Sequence, residues 1–418
     1  MRFCNRCLYP ENHPLNIIFD EHGVCSGCRV HEEKDILDWD VQSQKLKKIL
    51  KSYKNKSGKN YDCIIPVSGA RDSYFIVHTV KNVLGMNPLL VTYNKHYNTA
   101  VGIRNLANLR ILFDCDIMSL TVNPETVKKI TRATIRKMGS IYWHCIAGQT
   151  VYPVQVAVKF KIPLIIWGAH QGIDQVGMFS HLDEVEMTRK YRKEHDLMGF
   201  EAEDLISEFD NVTEQDIVQY KYPDDKEIER VGVRGIYLNN YIRWDSKAQH
   251  EEMIQLYNYE TSIVTRTFDT YNDVDCFNYS DVHDYIKMLK YGYGKALDHA
   301  TREIRLKRMS RDVGVDLVKN YLEKKPKNLY LFLNWIGITE NSFYYLIDQH
   351  RNKKIWHRNE KWEWEINKSF NIENIIADVH EKHKLTSIQL YTEFKVTPIK
   401  KSTDKEDSYI LIGKGLHY

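Results

Sequence analysis

The sequence predicts an α/β protein built on a doubly wound parallel sheet, with a short N-terminal cysteine module and a helical C-terminal region. Two observations predict the sheet. Strand-like runs alternate with helical periodicity from residue 62 to residue 168, and each run is apolar on both faces, as strands covered by helices on both sides are. A third observation, two CxxC pairs within the first 28 residues, predicts the separate module.

Apolar periodicity and turn residues place the elements in order. Strands are predicted at 62–67, 88–93, 116–122 and 163–168, and β-type sequence returns at 231–244. Helices are predicted at 31–56, 74–84, 99–113, 124–138 and 147–160, and over most of 246–349.

We therefore expect three parts in the chain. Residues 1–45 form the cysteine module, and 46–245 form the α/β domain, with a polar insertion near 180–230. Residues 246–418 form a mostly helical region that binds substrate or a partner. Its last part, 370–418, is an extension whose role the sequence leaves open.

Charge and hydropathy exclude several classes of protein. The chain has 59 Lys and Arg against 56 Asp and Glu, a net charge of +3. This balance argues against a protein that coats nucleic acid. Apolar runs of about 18 residues, which a membrane span requires, are lacking. The start of the sequence shows no apolar signal segment, so we expect a cytoplasmic protein that binds neither membranes nor nucleic acid.

The four N-terminal cysteines, Cys4, Cys7, Cys25 and Cys28, have the spacing of a metal site. Two CxxC pairs can place four thiolates tetrahedrally around Zn²⁺, and such a closed site has no open position for a reacting water. We predict a structural zinc ion, because a module of this size has too small a core to fold alone. A redox pair and an iron–sulfur cluster are the alternatives.

The turn Ser68-Gly69-Ala70-Arg71-Asp72-Ser73 joins a predicted strand to a predicted helix. Small residues let the backbone approach a phosphate, and the N–H groups at a helix start favour negative charge. Ser68 and Ser73 add hydroxyls and Arg71 a cation, while Asp72 fixes the loop or helps to hold Mg²⁺. A plain strand-to-helix turn capped by serine is the alternative.

This turn is neither a Walker A loop nor a GxGxxG turn. It resembles the SGGxDS signature of the PP-loop ATP pyrophosphatases, whose fold is of the adenine nucleotide alpha hydrolase type. That resemblance implies cleavage of ATP to AMP and pyrophosphate with adenylylation of a substrate oxygen. We assign Ser68, Gly69, Ala70, Arg71, Asp72, Ser73, Thr92 and Gly168 to ATP binding.

Further site candidates lie at strand ends and in a segment rich in Lys, Arg, His and Gly. A solvated helix face is the alternative for that segment. We predict Asp72, Arg71, Lys290 and Lys295 as catalytic residues. The predicted substrate residues are His144, Gln149, His170, Tyr293, Asp298, His299, Arg305 and Arg311.

Together these motifs resemble the N-acetyl sugar amidotransferase family of bacterial surface-polysaccharide and flagellar-sugar biosynthesis. The resemblance covers most of residues 1–365. It rests on the CxxC pairs, on Pro66 to Phe75, on Tyr241-Ile242-Arg243-Trp244-Asp245 and on Lys290-Tyr291-Gly292-Tyr293-Gly294-Lys295.

The family resemblance implies a reaction. The acetamido group of a nucleotide-linked N-acetyl sugar becomes an acetamidino group through an adenylylated amide, in the synthesis of lipopolysaccharide O-antigen or a related glycan. The cofactors implied are ATP, Mg²⁺ and structural Zn²⁺. The sequence shows no glutaminase motif, and the resemblance implies a separate class I glutaminase subunit that supplies ammonia from glutamine.

Two other functions remain open. A tRNA-thiolating PP-loop enzyme needs a catalytic cysteine pair, and proximity of Cys145 and Cys276 in the fold would favour it. An ATP-binding scaffold of a glutaminase complex, with weak catalysis, would explain Ala70 and Ala169. The family has Gly and Glu at these two positions.

Overall fold

A computed structural model describes residues 2–55, 57–70, 72–208 and 211–367. Arg71 and the stretch 370–418, both of which carry sequence predictions, lie outside the described residues. The centre of the molecule is a five-stranded parallel sheet in the order β3-β2-β1-β4-β5. Its strands are β1 (Cys63–Pro66), β2 (Pro88–Tyr93), β3 (Ile117–Leu120), β4 (Leu164–Trp167) and β5 (Arg234–Tyr237).

The strand order reverses between β1 and β4. Ile64 of β1 lies beside Leu89 of β2 on one side and beside Ile165 of β4 on the other. All three side chains are buried, which explains the continuous apolar runs. A doubly wound sheet opens a crevice at the carboxyl ends of its strands where the order reverses. The predicted fold class is confirmed, and the loop after β1 lies at this crevice.

Helices cover the sheet and form most of the rest of the molecule. They are α1 (Ser26–Ile36), α2 (Trp39–Tyr53), α3 (Ser73–Val77), α4 (Ala100–Leu112), α5 (Pro124–Met138), α6 (Trp143–Phe160), α7 (Gln171–Asp174), α8 (Arg189–Tyr191), α9 (Asp204–Glu208), α10 (Glu214–Ile217), α11 (Asp225–Val231), α12 (Ser246–Tyr257), α13 (Asp284–Tyr291), α14 (Lys295–Arg305), α15 (Arg311–Leu322), α16 (Leu329–Ile336) and α17 (Glu340–Asp348). Among the described residues, none of these helices has the length and apolarity to cross a bilayer.

Local side-chain chemistry fixes the helix ends. Thr99 accepts a hydrogen bond from the Gly102 N–H and begins α4. Asn123 accepts one from the Glu125 N–H and begins α5, which ends at Gly139 in the left-handed conformation (φ 59°). Such N-caps and glycine C-caps are the residues that helix termini prefer. The predicted bounds of both helices therefore agree with the structure to within one residue.

Several predicted elements differ from the structure. The helix predicted at 31–56 is two helices, α1 and α2, and the helix predicted at 147–160 begins four residues earlier, at Trp143. The helix after the β1 loop begins at Ser73, and its second half, His78–Val83, has the wider turn of a π-helix. The β-type sequence at 231–244 contains only the four-residue strand β5, because a 3₁₀ turn at Leu238–Asn240 follows it directly.

The segment 258–276, predicted as helical, forms turns and bends instead. It lies across α4: Glu260 pairs with Arg104 (Oε2 to Nη2, 2.8 Å), and the Thr99 N–H donates to the Asp275 carbonyl. This course brings the carboxylates of the segment to the open end of the sheet.

Buried apolar clusters connect the three parts expected from the sequence. One cluster extends from Leu46 to Val274 and so crosses the expected boundary at 245. Another joins the cysteines of the N-terminal module to α14 and α15. The proposed division at 45 and 245 stays a prediction. The described chain ends with an antiparallel hairpin, β6 (Trp356–Arg358) and β7 (Trp364–Ile366).

Candidate functional site

The Ser68–Ser73 loop is held in shape by its own hydroxyl groups. The Ser68 N–H donates to Ser73 Oγ (2.9 Å), and Ser73 Oγ donates to the Ala70 carbonyl (3.0 Å). The Ala70 N–H donates in turn to Ser68 Oγ (3.2 Å). Because both serines are used internally, the loop keeps its curvature before any ligand binds.

Gly69 is required by a close approach of two backbones. A Cβ built on Gly69 would lie 1.9 Å from the carbonyl oxygen of Gly102, near the start of α4. Gly102 in turn faces Asp275, where a Cβ would lie 2.3 Å from the Asp275 Cα. At these two glycines the loop, the start of α4 and the 258–276 segment therefore pack backbone against backbone, and a side chain would not fit.

Ala70 fits the loop without backbone strain. It does not have the positive φ that favours glycine, and its methyl group is fully buried in the apolar cluster beneath the sheet end. An alanine at this position therefore carries no cost of a left-handed backbone.

A first cavity, of about 300 Å³, opens on one side of the loop. Ser68 and Gly69 form one wall, and Thr92 lies in another. The remaining lining residues are Tyr93, Asn94, Lys95, Asn98, Gly102, Ile103, Leu106, Ala107, Arg110, Ile117, Ser119 and Asp275. The structure thus brings together three of the residues predicted to bind ATP.

Lys95 is a lining residue of the first cavity that the sequence analysis missed. Its Nζ lies 2.6 Å from Asp275 Oδ2, and both side chains are buried. Burial alone would lower the pKa of Lys95, but Asp275 outweighs it and the pKa lies above its usual value. The sequence signal that could have identified Lys95 is its position two residues beyond the end of β2.

Gly168, predicted to bind ATP, lies behind the loop and outside this lining. A Cβ there would lie 2.9 Å from Ile76 Cδ1 and 3.3 Å from the Trp244 ring. The next residue, Ala169, lines the second cavity instead.

The second cavity, of about 180 Å³, opens on the other side of the loop. Asp72 faces it from the loop and Ala169 from the end of β4. The 258–276 segment and α14 close it. Predicted site residues that meet there are Asp72, Lys295, Asp298, His299 and Arg305.

Charged side chains in the second cavity are paired. Lys295 Nζ lies 2.7 Å from Asp273 Oδ2 and 3.6 Å from the centre of the Tyr279 ring. Burial would lower the pKa of Lys295, but Asp273 outweighs it and raises this pKa above its usual value. His299 bonds to Thr267 Oγ1 through Nδ1 (2.7 Å), and burial lowers its pKa, so that its ring is neutral at pH 7.

A third cavity, of about 410 Å³, adjoins the second. The two share Gln171, Gln175, Tyr279, Lys295 and Asp298. The predicted catalytic residue Lys290 lines only the third. Catalytic and substrate candidates from α13 and α14 therefore lie along one continuous space.

Lys290 is a buried cation in the third cavity. Its Nζ donates to the Met138 carbonyl (2.7 Å), and it forms no ion pair with any residue that the structure describes. Burial lowers its pKa to about 8. Asp196, from the polar insertion, lines the same cavity, and burial raises its pKa to about 7. No motif or spacing in the sequence pointed to Asp196.

Five predicted substrate residues lie outside the linings of these three cavities, and one of them, Arg311, contacts the cysteine cluster described below. His144 bonds to the hydroxyls of Tyr93 and Tyr97 in the core. His170 caps α7, accepting from the Gly172 N–H. The other two are Tyr293, which is buried, and Gln149, on α6. Their contact with substrate stays a prediction.

The four N-terminal cysteines converge into one buried cluster. All four Sγ atoms lie within 4.8 Å of one another, and the Cys4–Cys28 and Cys7–Cys25 Sγ distances are 3.9 and 3.5 Å. Metal–sulfur bonds of about 2.3 Å in a tetrahedron require sulfur separations of about 3.8 Å. The Cys7 and Cys25 N–H groups also donate to Cys4 Sγ. The cluster thus fits a four-thiolate metal site.

Arg305 and Arg311, predicted to bind substrate, both contact this cluster. Arg305 Nη2 lies 3.3 Å from Cys25 Sγ. Arg311 donates to the carbonyls of Cys7 (3.2 Å) and Cys4 (3.3 Å). Arg311 is absent from the three cavity linings, whereas Arg305 also lines the second cavity.

The sheet order and the loop after its first strand define the class: a doubly wound α/β protein of the PP-loop type. Within this class, residues 265–370 match the family model described as the LPS biosynthesis protein WbpG-like, C-terminal domain. The match supports the resemblance predicted from the sequence over these residues, which are about a quarter of the chain. The matched residues include Asp273, Lys290 and Lys295 of the second and third cavities.

Other similarities are more distant. An uncharacterized protein of Methanocaldococcus jannaschii is 27% identical over 121 residues, which are 28% of this chain. The chain matches only 42% of the length of that relative.

Two solved structures resemble parts of the chain, with low sequence identity and low TM-scores. The NH3-dependent NAD synthetase of Campylobacter jejuni matches 46% of this chain and 94% of its own, with 11% identity and a TM-score of 0.26. The NMN synthetase of Francisella tularensis matches 53% and 94%, with 13% identity and a TM-score of 0.27.

Proposed function

We propose that the protein is an ATP-dependent amidotransferase of lipopolysaccharide biosynthesis. It converts the acetamido group of a nucleotide-linked N-acetyl sugar into an acetamidino group. The observation that carries the proposal is the position of the Ser68–Ser73 loop between two cavities. Ser68 and Gly69 face the first, and Asp72 faces the second, whose opposite wall comes from the WbpG-like segment.

The first cavity has the chemistry of a nucleotide site. Ile103, Leu106 and Ile117 offer an apolar surface for a base, and Thr92 and Asn94 offer polar groups for a ribose. In this assignment the pyrophosphate lies on the loop, where small residues and the start of α3 favour an anion. The α-phosphorus of ATP then points toward the second cavity.

The reaction requires activation of a poor electrophile. The amide oxygen attacks the α-phosphorus, the bond to pyrophosphate breaks, and an O-adenylyl imidate forms. Ammonia then attacks the imidate carbon, and AMP leaves with the former amide oxygen. Lys295 stabilises negative charge that develops on the phosphoryl oxygens, as fixed cations do in phosphoryl transfer. Neutral His299 is placed to accept the proton that the attacking ammonia releases.

The acceptor occupies the second and third cavities in this proposal. Its amide lies beside Asp72, and its anionic part extends toward Lys290. A buried ammonium without a carboxylate partner is costly on its own. An anionic group of the acceptor would pair with this ammonium, which would favour both acceptor binding and the folded protein. Asp72 would help to hold Mg²⁺, which would offset negative charge on the ATP phosphates.

Ammonia comes from a partner class I glutaminase. A glutaminase nucleophile must be a reactive thiolate. Outside the four-cysteine cluster the thiols are Cys63, Cys115, Cys145 and Cys276, and burial raises the pKa of each. These thiols are protonated at neutral pH and are poor nucleophiles.

The same observation weighs against a tRNA-thiolating enzyme. Cys145 and Cys276 do share one apolar cluster, as that function would require. Both are fully buried, however, and burial raises the pKa of Cys276 to about 11. A sulfur-carrying pair needs exposed thiolates, so the proximity supports packing rather than catalysis.

The test is mass spectrometry of UDP- and CMP-linked N-acetyl sugars incubated with the protein, ATP, Mg²⁺ and ammonium. The proposal predicts a product lighter by the difference between O and NH, with equal amounts of AMP and pyrophosphate. Free ammonium removes the need for the partner. ATP binding without any such product would favour the alternative of an ATP-binding scaffold, to which Ala169 in the second cavity gives support.

A further inference from the structure

Arg305 joins the four-cysteine cluster to the wall of the second cavity. One guanidinium nitrogen, Nη2, lies 3.3 Å from Cys25 Sγ and 3.9 Å from Cys7 Sγ. The other, Nη1, donates to the Gln175 carbonyl (2.6 Å). The side chain is only 9% exposed. A single buried cation thus bridges two sulfur atoms and the backbone that follows α7.

The module packs closely against this backbone, and no space is left for a side chain at the two glycines of the contact. A Cβ on Gly27 would lie 2.2 Å from Arg305 Nη2 and 2.7 Å from the Gln175 carbonyl oxygen. A Cβ on Gly177 would lie 2.3 Å from the Ser26 carbonyl oxygen. A shift of the cysteine cluster is therefore transmitted to residues 171–177 directly.

Residues 171–177 and the module itself form cavity walls. Gln171 and Gln175 line both the second and the third cavity. The Gln175 side chain donates to the hydroxyl of Tyr9, which lies just after the first CxxC pair and also lines the second cavity. His13, further along the module, lines the third.

The position of Arg305 depends on how the four sulfur atoms are held together. A metal ion would hold them through four bonds. Because Arg305 Nη2 contacts two of these sulfur atoms, a cluster that loses its metal and spreads would break the contact that links it to residues 171–177.

We propose that Arg305 is a positioning residue that makes the wall formed by residues 171–177 depend on the metal state of the four-cysteine cluster. The inference rests on the proposed function only in naming the second and third cavities as the acceptor site. Metal loss loosens that wall and leaves the first cavity intact, because the residues that line the first cavity belong neither to the module nor to 171–177.

The experiment is amide hydrogen exchange on the full chain, with zinc, after chelation, and after zinc is returned. We expect exchange in 171–177 to become about tenfold faster on chelation and to recover with zinc. Residues 88–93, in β2 beside the first cavity, should stay protected, and ATP affinity should be unchanged. Equal exchange in 171–177 with and without zinc would overturn the inference.

Two arginine variants test whether Arg305 itself, rather than the module as a whole, holds residues 171–177 in place. Arg305→Lys keeps the charge but cannot span both contacts, whereas Arg311→Lys alters a contact to the same module that lies away from the cavities. With zinc retained in both, faster exchange in 171–177 should appear only in Arg305→Lys. Wild-type exchange in Arg305→Lys, or equal loosening in Arg311→Lys, would contradict the proposal. Because hydrogen exchange needs no acceptor, its result stands apart from that of the turnover assay.

Discussion

The backbone of Gly69 touches the backbone of Gly102 so closely that a methyl group on Gly69 would lie 1.9 Å from the Gly102 carbonyl oxygen. Gly69 lies in the loop that follows β1, and Gly102 lies in the first turn of α4. The contact fixes the distance between the loop and the helix that together wall the first cavity. The loop glycine is needed here for close packing, since its φ is not positive.

Gly69→Ala is therefore expected to abolish ATP binding, because the methyl group must displace the start of α4. Ala70→Gly is the matched control: it should keep ATP binding, lose about 1 kcal/mol of stability with the buried methyl, and not raise turnover. Equilibrium binding of a fluorescent ATP analogue and urea unfolding measure both. A large gain of activity in Ala70→Gly would show that Ala70 impairs the enzyme.

Lys290 makes the free energy of unfolding depend on pH, and the burial of its side chain fixes the sign of that dependence. Its pKa is lowered from 10.5 to about 8, so the folded state binds fewer protons than the unfolded chain between these values. This term therefore raises stability as pH increases from about 8 toward 10.5. If the ammonium binds an anionic acceptor, the KM for the nucleotide sugar should rise as pH increases above 8.

Lys290→Arg tests this origin of the pH profile. Arginine stays charged throughout this range, so the rise of KM above pH 8 should disappear in the variant. Lys290→Gln should show a high KM at every pH. An unchanged profile in Lys290→Arg would mean that another group titrates.

Variants of the Lys295–Asp273 pair distinguish a structural role of Lys295 from a catalytic one. Lys295→Met leaves the Asp273 carboxylate buried without this partner and is expected to cost about 3–5 kcal/mol of unfolding free energy. The double variant Lys295→Met/Asp273→Asn should regain most of that stability, yet it should not regain turnover. Chemical denaturation and the rate of AMP release give the two readouts. Recovered turnover in the double variant would assign Lys295 a purely structural role.

The sequence predicts the fold better than the site. Strand periodicity and local caps such as Thr99 and Asn123 set the sheet and its helices, because these signals act over a few residues. The positions of Arg305 and Asp196 depend on contacts between parts far apart in the chain. Arg305 has the same sequence environment whether it binds a substrate or a thiolate, and only the packed structure distinguishes the two.

Removal of one ligand from the four-cysteine cluster should release the metal. Cys28→Ser is expected to lose the zinc ion measured by elemental mass spectrometry and to lower Tm, because the metal supplies much of the folding energy of so small a module. Cys115→Ser, a half-buried thiol outside the cluster, should keep both. A Cys28→Ser variant with full zinc content would rule out four-thiolate ligation.

The fate of the acceptor's amide oxygen tests the central claim most directly. The nucleotide sugar is prepared with a heavy oxygen isotope in its acetamido carbonyl and converted with ATP and ammonium. Because the amide oxygen attacks the α-phosphorus, the account predicts that the label appears in AMP, atom for atom with the acetamidino product. Label found in water or orthophosphate, with unlabelled AMP, would contradict adenylylation of the amide.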